Sequence, residues 1–191
     1  DLLLAVGDGN HSLATAKAYW EERKTMLTAD EQVEHPARFA MVEVENIHGE
    51  ALVFEPIHRV VYHCDAAALM VDWQAYVQQK GWTQTDGDGA QAFEVIYGEN
   101  TTHVQVNGSP DPLTVGTLQT FLDEWRPKHP TATLDYVHGE DTARALARGV
   151  DTVAFLLPAM PKNELFPAVE LLGSLPRKTF SMGEAHEKRY Y

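Results

Sequence analysis

A single cysteine, Cys64, stands in the 191 residues, so no internal disulfide can form and nothing in the fold depends on an oxidising compartment. No apolar run approaches the roughly 20 residues needed to cross a bilayer. Leu2-Leu3-Leu4-Ala5-Val6 is too short for a secretion signal and follows the acidic Asp1 instead of a basic stretch. The expectation is therefore a soluble, cytoplasmic chain with no membrane partner. Basic residues are scarce, 15 Lys and Arg against 28 Asp and Glu, and the formal charge of -13 would repel nucleic-acid phosphates over most of the surface. There is no Walker loop, nucleophile elbow or Cys-x-x-Cys pair. An initiating Met is also missing: the chain opens on an apolar run and stops at Tyr190-Tyr191. We expect a fragment of a larger protein, its N-terminal half missing and any site shared with that half.

With 44% hydrophobic and 23% charged residues, the composition is that of a globular protein able to bury a sizeable core. The apolar run Leu2–Val6, ended by Gly7, reads as a buried strand delivering Asp8–His11 at its C-terminal edge. Leu13, Ala16, Tyr19, Trp20 and Leu27 recur at helical spacing, which predicts a helix from Ser12 to about Met26, capped by Asn10 or Ser12. Thr28 to Pro36 is polar and reads as a loop. Strands are predicted at Phe39–Glu45, at Ala51–Phe54 and, after an interruption at Pro56, at Ile57–Tyr62. Asp65 caps a helix whose apolar face is Leu69, Trp73, Tyr76 and Val77, ended by Gly81. Strands at Ala92–Tyr97 and Thr102–Val106, a helix from Leu113 or Thr114 to Trp125, a strand at Leu134–Val137 and a helix from Asp141 to Arg148 come next. A buried strand at Thr152–Leu157 and a helix from Lys162 to Leu172 complete the pattern. Hairpins mixed with single helices predict one α+β domain over 1–191, a mixed, largely antiparallel sheet with helices packed on it.

The segment with most chemical content is Gly7-Asp8-Gly9-Asn10-His11-Ser12, between predicted strand and helix. Glycines there permit a tight turn and close approach of a ligand. The free N–H groups of the helix's first turn and the helix dipole favour an anion. His11 can donate to a phosphate or carboxylate, and Asp8 can orient magnesium or take a proton from a hydroxyl. The alternative is a plain strand-to-helix connection capped by Asn10 or Ser12.

Ala5-Val6-Gly7-Asp8-Gly9-Asn10-His11-Ser12-Leu13-Ala14-Thr15-Ala16 resembles the central motif of the bacterial family of unknown function numbered 1015. Glu55-Pro56-Ile57-His58-Arg59 is similar to its Pro-x-His-Arg element, and Leu175–Gly183 to its C-terminal segment. The order of the three implies the family's C-terminal half. Many members carry a ParB-like or SpoOJ-like label, through a remote likeness to the ParB/sulfiredoxin-type phosphate cradle that also occurs in a free-serine kinase. In many members the turn reads Asp-Gly-His-His-Arg. Here Asn10 and Ser12 replace the first His and the Arg, which removes the motif's bidentate phosphate fork unless Arg59 or Lys178 supplies one.

The site residues expected are Asp8 and His11 in catalysis, with Gly9, Asn10, Ser12, Arg59 and Lys178 holding a small anionic ligand or nucleotide. His58 and Arg59 face opposite ways on a strand, and Arg59 is the anion-binding candidate, a structural ion pair being the alternative. If Lys178 and Phe180 share a strand face, Lys178 points with Phe180 toward the interior, near Asp8 or His11. A zinc site from His58, His63 and Cys64 is not expected, and Asp86-Gly87-Asp88-Gly89 lacks a full calcium-loop pattern. The sequence does not name a cofactor. Three functions fit: a phosphotransferase on a small metabolite, a non-catalytic nucleotide-binding regulatory module, and a purely structural domain.

Overall fold

The computed structural model describes residues 2–6, 10–50, 52–84 and 91–182. The chain divides into two compact units, Asp1–Gly49 and Glu50–Tyr191.

The first unit contains α1 (Asn10–Arg23), a one-turn helical segment at Lys24–Met26, α2 (Ala29–Glu34) and a second single turn at Pro36–Arg38. In α1 the half-buried residues are Leu13, Ala16 and Trp20, the spacing of one helical stripe, while Tyr19 is exposed. α2 lies where the sequence reads as a loop. It exists because Thr28 and Glu31 form a capping box: the Thr28 hydroxyl accepts from the Glu31 N–H, and the Glu31 carboxylate accepts from the Thr28 N–H at 2.9 Å. Gln32 then donates its amide to the carbonyls of Lys24 and Leu27, closing α2 onto the turn before it.

Two expected strands are not formed. Leu2–Val6 is exposed and forms no strand, with Leu3 87% accessible. Phe39–Glu45 is likewise exposed and not in a strand, with Met41 80% accessible. A β ladder needs a second strand to satisfy its N–H and C=O groups, and apolar periodicity in one segment cannot provide it.

The second unit is an α+β structure around a seven-stranded sheet, every pairing of which is antiparallel. Its strands are β1 (Phe54–Tyr62), β2 (Thr83–Gln84), β3 (Gln91–Tyr97), β4 (Asn100–Asn107), β5 (Thr133–His138), β6 (Thr152–Leu156) and β7 (Phe180–Met182). Their order is β2-β4-β3-β6-β1-β5, with β7 paired to the start of β1. β1 is continuous through Pro56, contrary to the expected interruption. Pro56 sits at the changeover from pairing β7 to pairing β5, where the missing N–H is tolerated.

Helices cover both faces at the sheet's centre. Register places Arg59, Phe155 and Val95 on one face. There α3 (Ala66–Gln79) and α4 (Thr114–Trp125) bury Leu69, Trp73, Tyr76, Val77, Leu118, Phe121 and Leu122. Trp73 meets Phe93 and Phe121 edge-on at 5.3 and 5.2 Å. Asp65 caps α3 by accepting from the Ala68 N–H at 2.8 Å, as its sequence position predicts. On the opposite face, Val60, Ala154 and Ile96 pack against Ala143 and Ala147 at the short α5 (Glu140–Leu146). α6 (Leu165–Leu172) follows, ended by Gly173 at φ +75°.

His58 lies on the α5 face, 2% accessible, its Nδ1 accepting from the Leu157 N–H at 3.2 Å. That bond requires neutral imidazole, and burial holds the His58 pKa below its ordinary value, against the pull of Glu140. An unfolded histidine titrates near ~6.5, so the folded chain binds fewer protons just below that pH and loses stability as pH falls through it. Urea midpoints compared between neutral pH and about pH 5.5 should drop more steeply for the parent chain than for His58→Gln. Equal slopes would show that His58 is not a source of acid lability.

Candidate functional site

Of the turn expected to bind an anion, Asp8 and Gly9 lie outside the described residues. Asn10 opens α1, and His11 and Ser12 follow it as exposed residues of the first turn. Ser12 is thus inside the helix and does not cap it. Thr15 donates its hydroxyl to the His11 carbonyl at 2.9 Å. No acidic side chain occupies the first turn, so nothing in it opposes an anion at this end of a 14-residue helix.

Arg59 is in the second unit and is fully buried. Its Nε donates to Gln119 Oε1 at 3.2 Å, and one terminal nitrogen donates to the Ile57 carbonyl and to the Lys178 carbonyl at 2.8 Å. The other terminal nitrogen donates to the Arg177 carbonyl at 2.9 Å. The Tyr136 ring lies 5.0 Å from the guanidinium carbon. Gln119 donates to Asp123 at 2.9 Å, and Asp123 accepts from the Arg177 side chain. Burial pulls the Arg59 pKa down to about 10, opposed by Tyr136, reinforced by Arg177 and opposed by Asp123. The group remains charged at neutral pH, yet its fork is spent on main-chain carbonyls.

The structure does bring Lys178 to Arg59, through the Lys178 backbone. Arg177 and Lys178 form a turn, with Lys178 left-handed at φ +54° and its side chain exposed. The expected alternation of Lys178 with Phe180 fails because β7 begins only at Phe180. Phe180 instead stacks on Phe54 with centroids 4.2 Å apart.

Cys64 is buried, its thiol pKa pushed up to about 11 by desolvation, and Sγ lies 3.6 Å from the Val61 carbonyl. Among the described residues, no group of three His, Cys, Asp or Glu side chains could hold a metal ion. Asp86–Gly89 and the residues from Gly183 onward lie outside the described residues.

Sequence reasoning missed three polar clusters. Glu55 pairs with His138. Arg144 donates to both Glu140 and Glu94, at 2.7 Å each. Gln119 and Asp123 link Arg59 to Arg177. The i,i+4 spacings Glu140–Arg144 and Gln119–Asp123 were readable on their helices. No local signal links Arg59 to residues 118 and 119 positions away.

If Arg59 is a clamp, Arg59→Met leaves three carbonyls without their donor. The unfolding free energy should then fall by about 3 kcal/mol or more, and trypsin should cut faster at Arg177 and Lys178. Were Arg59 kept for ligand binding at a cost in stability, the apolar variant would be as stable as the parent or more so.

A family model described as "Protein of unknown function (DUF1015)" matches residues 1–145. Among curated proteins none matches. Among solved structures, a conserved hypothetical protein from Pyrococcus furiosus superposes with TM-score 0.53 at 16% identity. That match covers 75% of this chain and 61% of the other, so the chain spans less than two thirds of that protein. A free serine kinase in complex with AMP superposes with TM-score 0.53 at 14% identity, covering 94% of this chain and 81% of the kinase. A variant of it with ADP gives 0.52 at 16%, covering 88% and 79%. At such identities the likeness is one of fold.

Proposed function

We propose that this chain, which belongs to the DUF1015 family, binds the phosphate of a nucleotide at the segment Asp8-Gly9-Asn10-His11-Ser12, and that the whole protein transfers phosphate to a small metabolite. The observation that carries the reading is the opening of α1. An imidazole and a hydroxyl, His11 and Ser12, lie exposed in the first turn of a 14-residue helix with no carboxylate in that turn, and in sequence two glycines precede it. The fold likeness to a free serine kinase in complex with AMP, and to a variant of it in complex with ADP, adds support.

In this reading the N–H groups of the first turn and the His11 imidazole neutralise phosphate charge, and the Ser12 hydroxyl adds a donor. Asp8 orients magnesium or accepts the proton of the attacking hydroxyl. Arg59 is not needed at the phosphate, since it is buried and four of its five N–H donors already have partners.

Isothermal titration of the intact protein with ADP and ATP tests this. Binding is expected, and His11→Ala should weaken it about tenfold, the loss of one charge-assisted hydrogen bond. Unchanged affinity in that variant, or no binding by the parent, would contradict the proposal. Transfer of phosphate from the bound nucleotide to a hydroxyl metabolite separates an enzyme from a regulatory module, which binds without turnover.

A further inference from the structure

His58 does more than fill the α5 face of the sheet. Its Nδ1 accepts from the Leu157 N–H at 3.2 Å, and Leu157 is the first residue after β6. Residues 157–161 connect β6 to the helical turn Lys162–Glu164 and on to α6, and they carry no regular structure. Pro158 and Pro161 have no N–H to give. The bond to His58 therefore fixes the start of this connection, which buries its Leu157 and Met160 side chains.

An imidazole accepts at Nδ1 only while that nitrogen lacks a proton. Protonation sets N–H against N–H at this distance and puts a charge on a ring that is 2% accessible. The charges acting on the ring are Glu140 and Arg144 of α5, His138 at the end of β5 and Arg59 of β1. β6 and residues 157–161 contain no titratable side chain. Glu140 is the one carboxylate in that set, and its Oε1 already accepts from Arg144. Glu94 and Glu55 are engaged with Arg144 and His138. A charged His58 thus has two guanidiniums acting against it and a donor, not an acceptor, at Nδ1.

We propose that His58 is an acid-operated latch: a proton on Nδ1 releases Leu157 and opens the connection between β6 and α6 while the rest of the sheet stays folded. The opened form exposes the ring, which then titrates near its ordinary value of ~6.5. The closed form holds the ring neutral to lower pH, because burial disfavours the charge, opposed by Glu140 and reinforced by Arg59, His138 and Arg144. Protons therefore bind the open form preferentially, and opening grows as pH falls below ~6.5, by up to about tenfold per pH unit. Acid lability of the whole fold does not require such a step. The latch adds an opening confined to residues 157–161.

Amide hydrogen exchange of the full chain under native conditions, followed residue by residue in low urea, tests the latch. Corrected for intrinsic exchange chemistry, opening at Leu157 should rise about tenfold between about pH 7.5 and about pH 5.5. It should depend little on urea, whereas the amides of Val60 and Ala154 in the sheet exchange through steeply urea-dependent unfolding. His58→Asn keeps an acceptor oxygen near the place of Nδ1 and does not titrate, so opening at Leu157 should become indifferent to pH. Leu157 exchanging on the same urea-dependent curve as Val60 at both pH values would overturn the proposal, and so would a pH effect that survives in His58→Asn. If the asparagine variant does not fold, the urea and pH dependence of the parent still decide.

Discussion

A guanidinium sealed from water must be satisfied by the protein itself, and in this chain three main-chain carbonyls and one amide do so. Among the described residues Arg59 forms no ion pair. It donates instead to Ile57 on its own strand and to Arg177 and Lys178 on the chain's last described turn. Carbonyls carry partial negative charge in a fixed geometry, so several together can hold a cation that would otherwise cost several kcal/mol to bury. The consequences reach through the second unit. The turn after Pro176 is tied to the sheet, β7 is set against the start of β1, and Phe180 can stack on Phe54. Gln119 extends the same network to α4, and Asp123 returns it to the Arg177 side chain.

This explains why the Pro-x-His-Arg element reads misleadingly as a binding motif. His58 and Arg59 do face opposite ways, as strand geometry requires, but each face is covered, so both side chains are interior and both are used to hold distant backbone. His58 fixes Leu157 and Arg59 fixes Arg177 and Lys178. A buried polar side chain and an exposed ligand-binding one can be the same residue type in the same local sequence. Only the long-range packing separates them.

What was legible was what local physics decides. The α3 face, its Asp65 cap, the α4 span Thr114–Trp125 and the buried β6 run all followed from periodicity, caps and stop residues. The Thr28–Glu31 capping box was equally present in the sequence and went unread beneath a polar composition. Leu2–Val6 and Phe39–Glu45 failed for another reason. Their patterns are those of strands, but strand formation depends on a partner, and periodicity does not report whether one exists. The opening of α1 is an intermediate case. The helix and the exposure of His11 and Ser12 agree with a binding turn, while the chemistry rests on Asp8 and Gly9, read from sequence.

The proposed phosphate site at the start of α1 and the Arg59 clamp would respond differently to a nucleotide, and one spectrum distinguishes them. In a proton–nitrogen correlation experiment on the intact protein, the backbone amides of Asn10, His11 and Ser12 and the Nε–H of Arg59 can be followed together as ADP is added. The account predicts that the three amides move with a common saturation curve while the Arg59 signal stays fixed. Movement of the Arg59 signal with the three amides unchanged would contradict it, and would return the guanidinium to the ligand site.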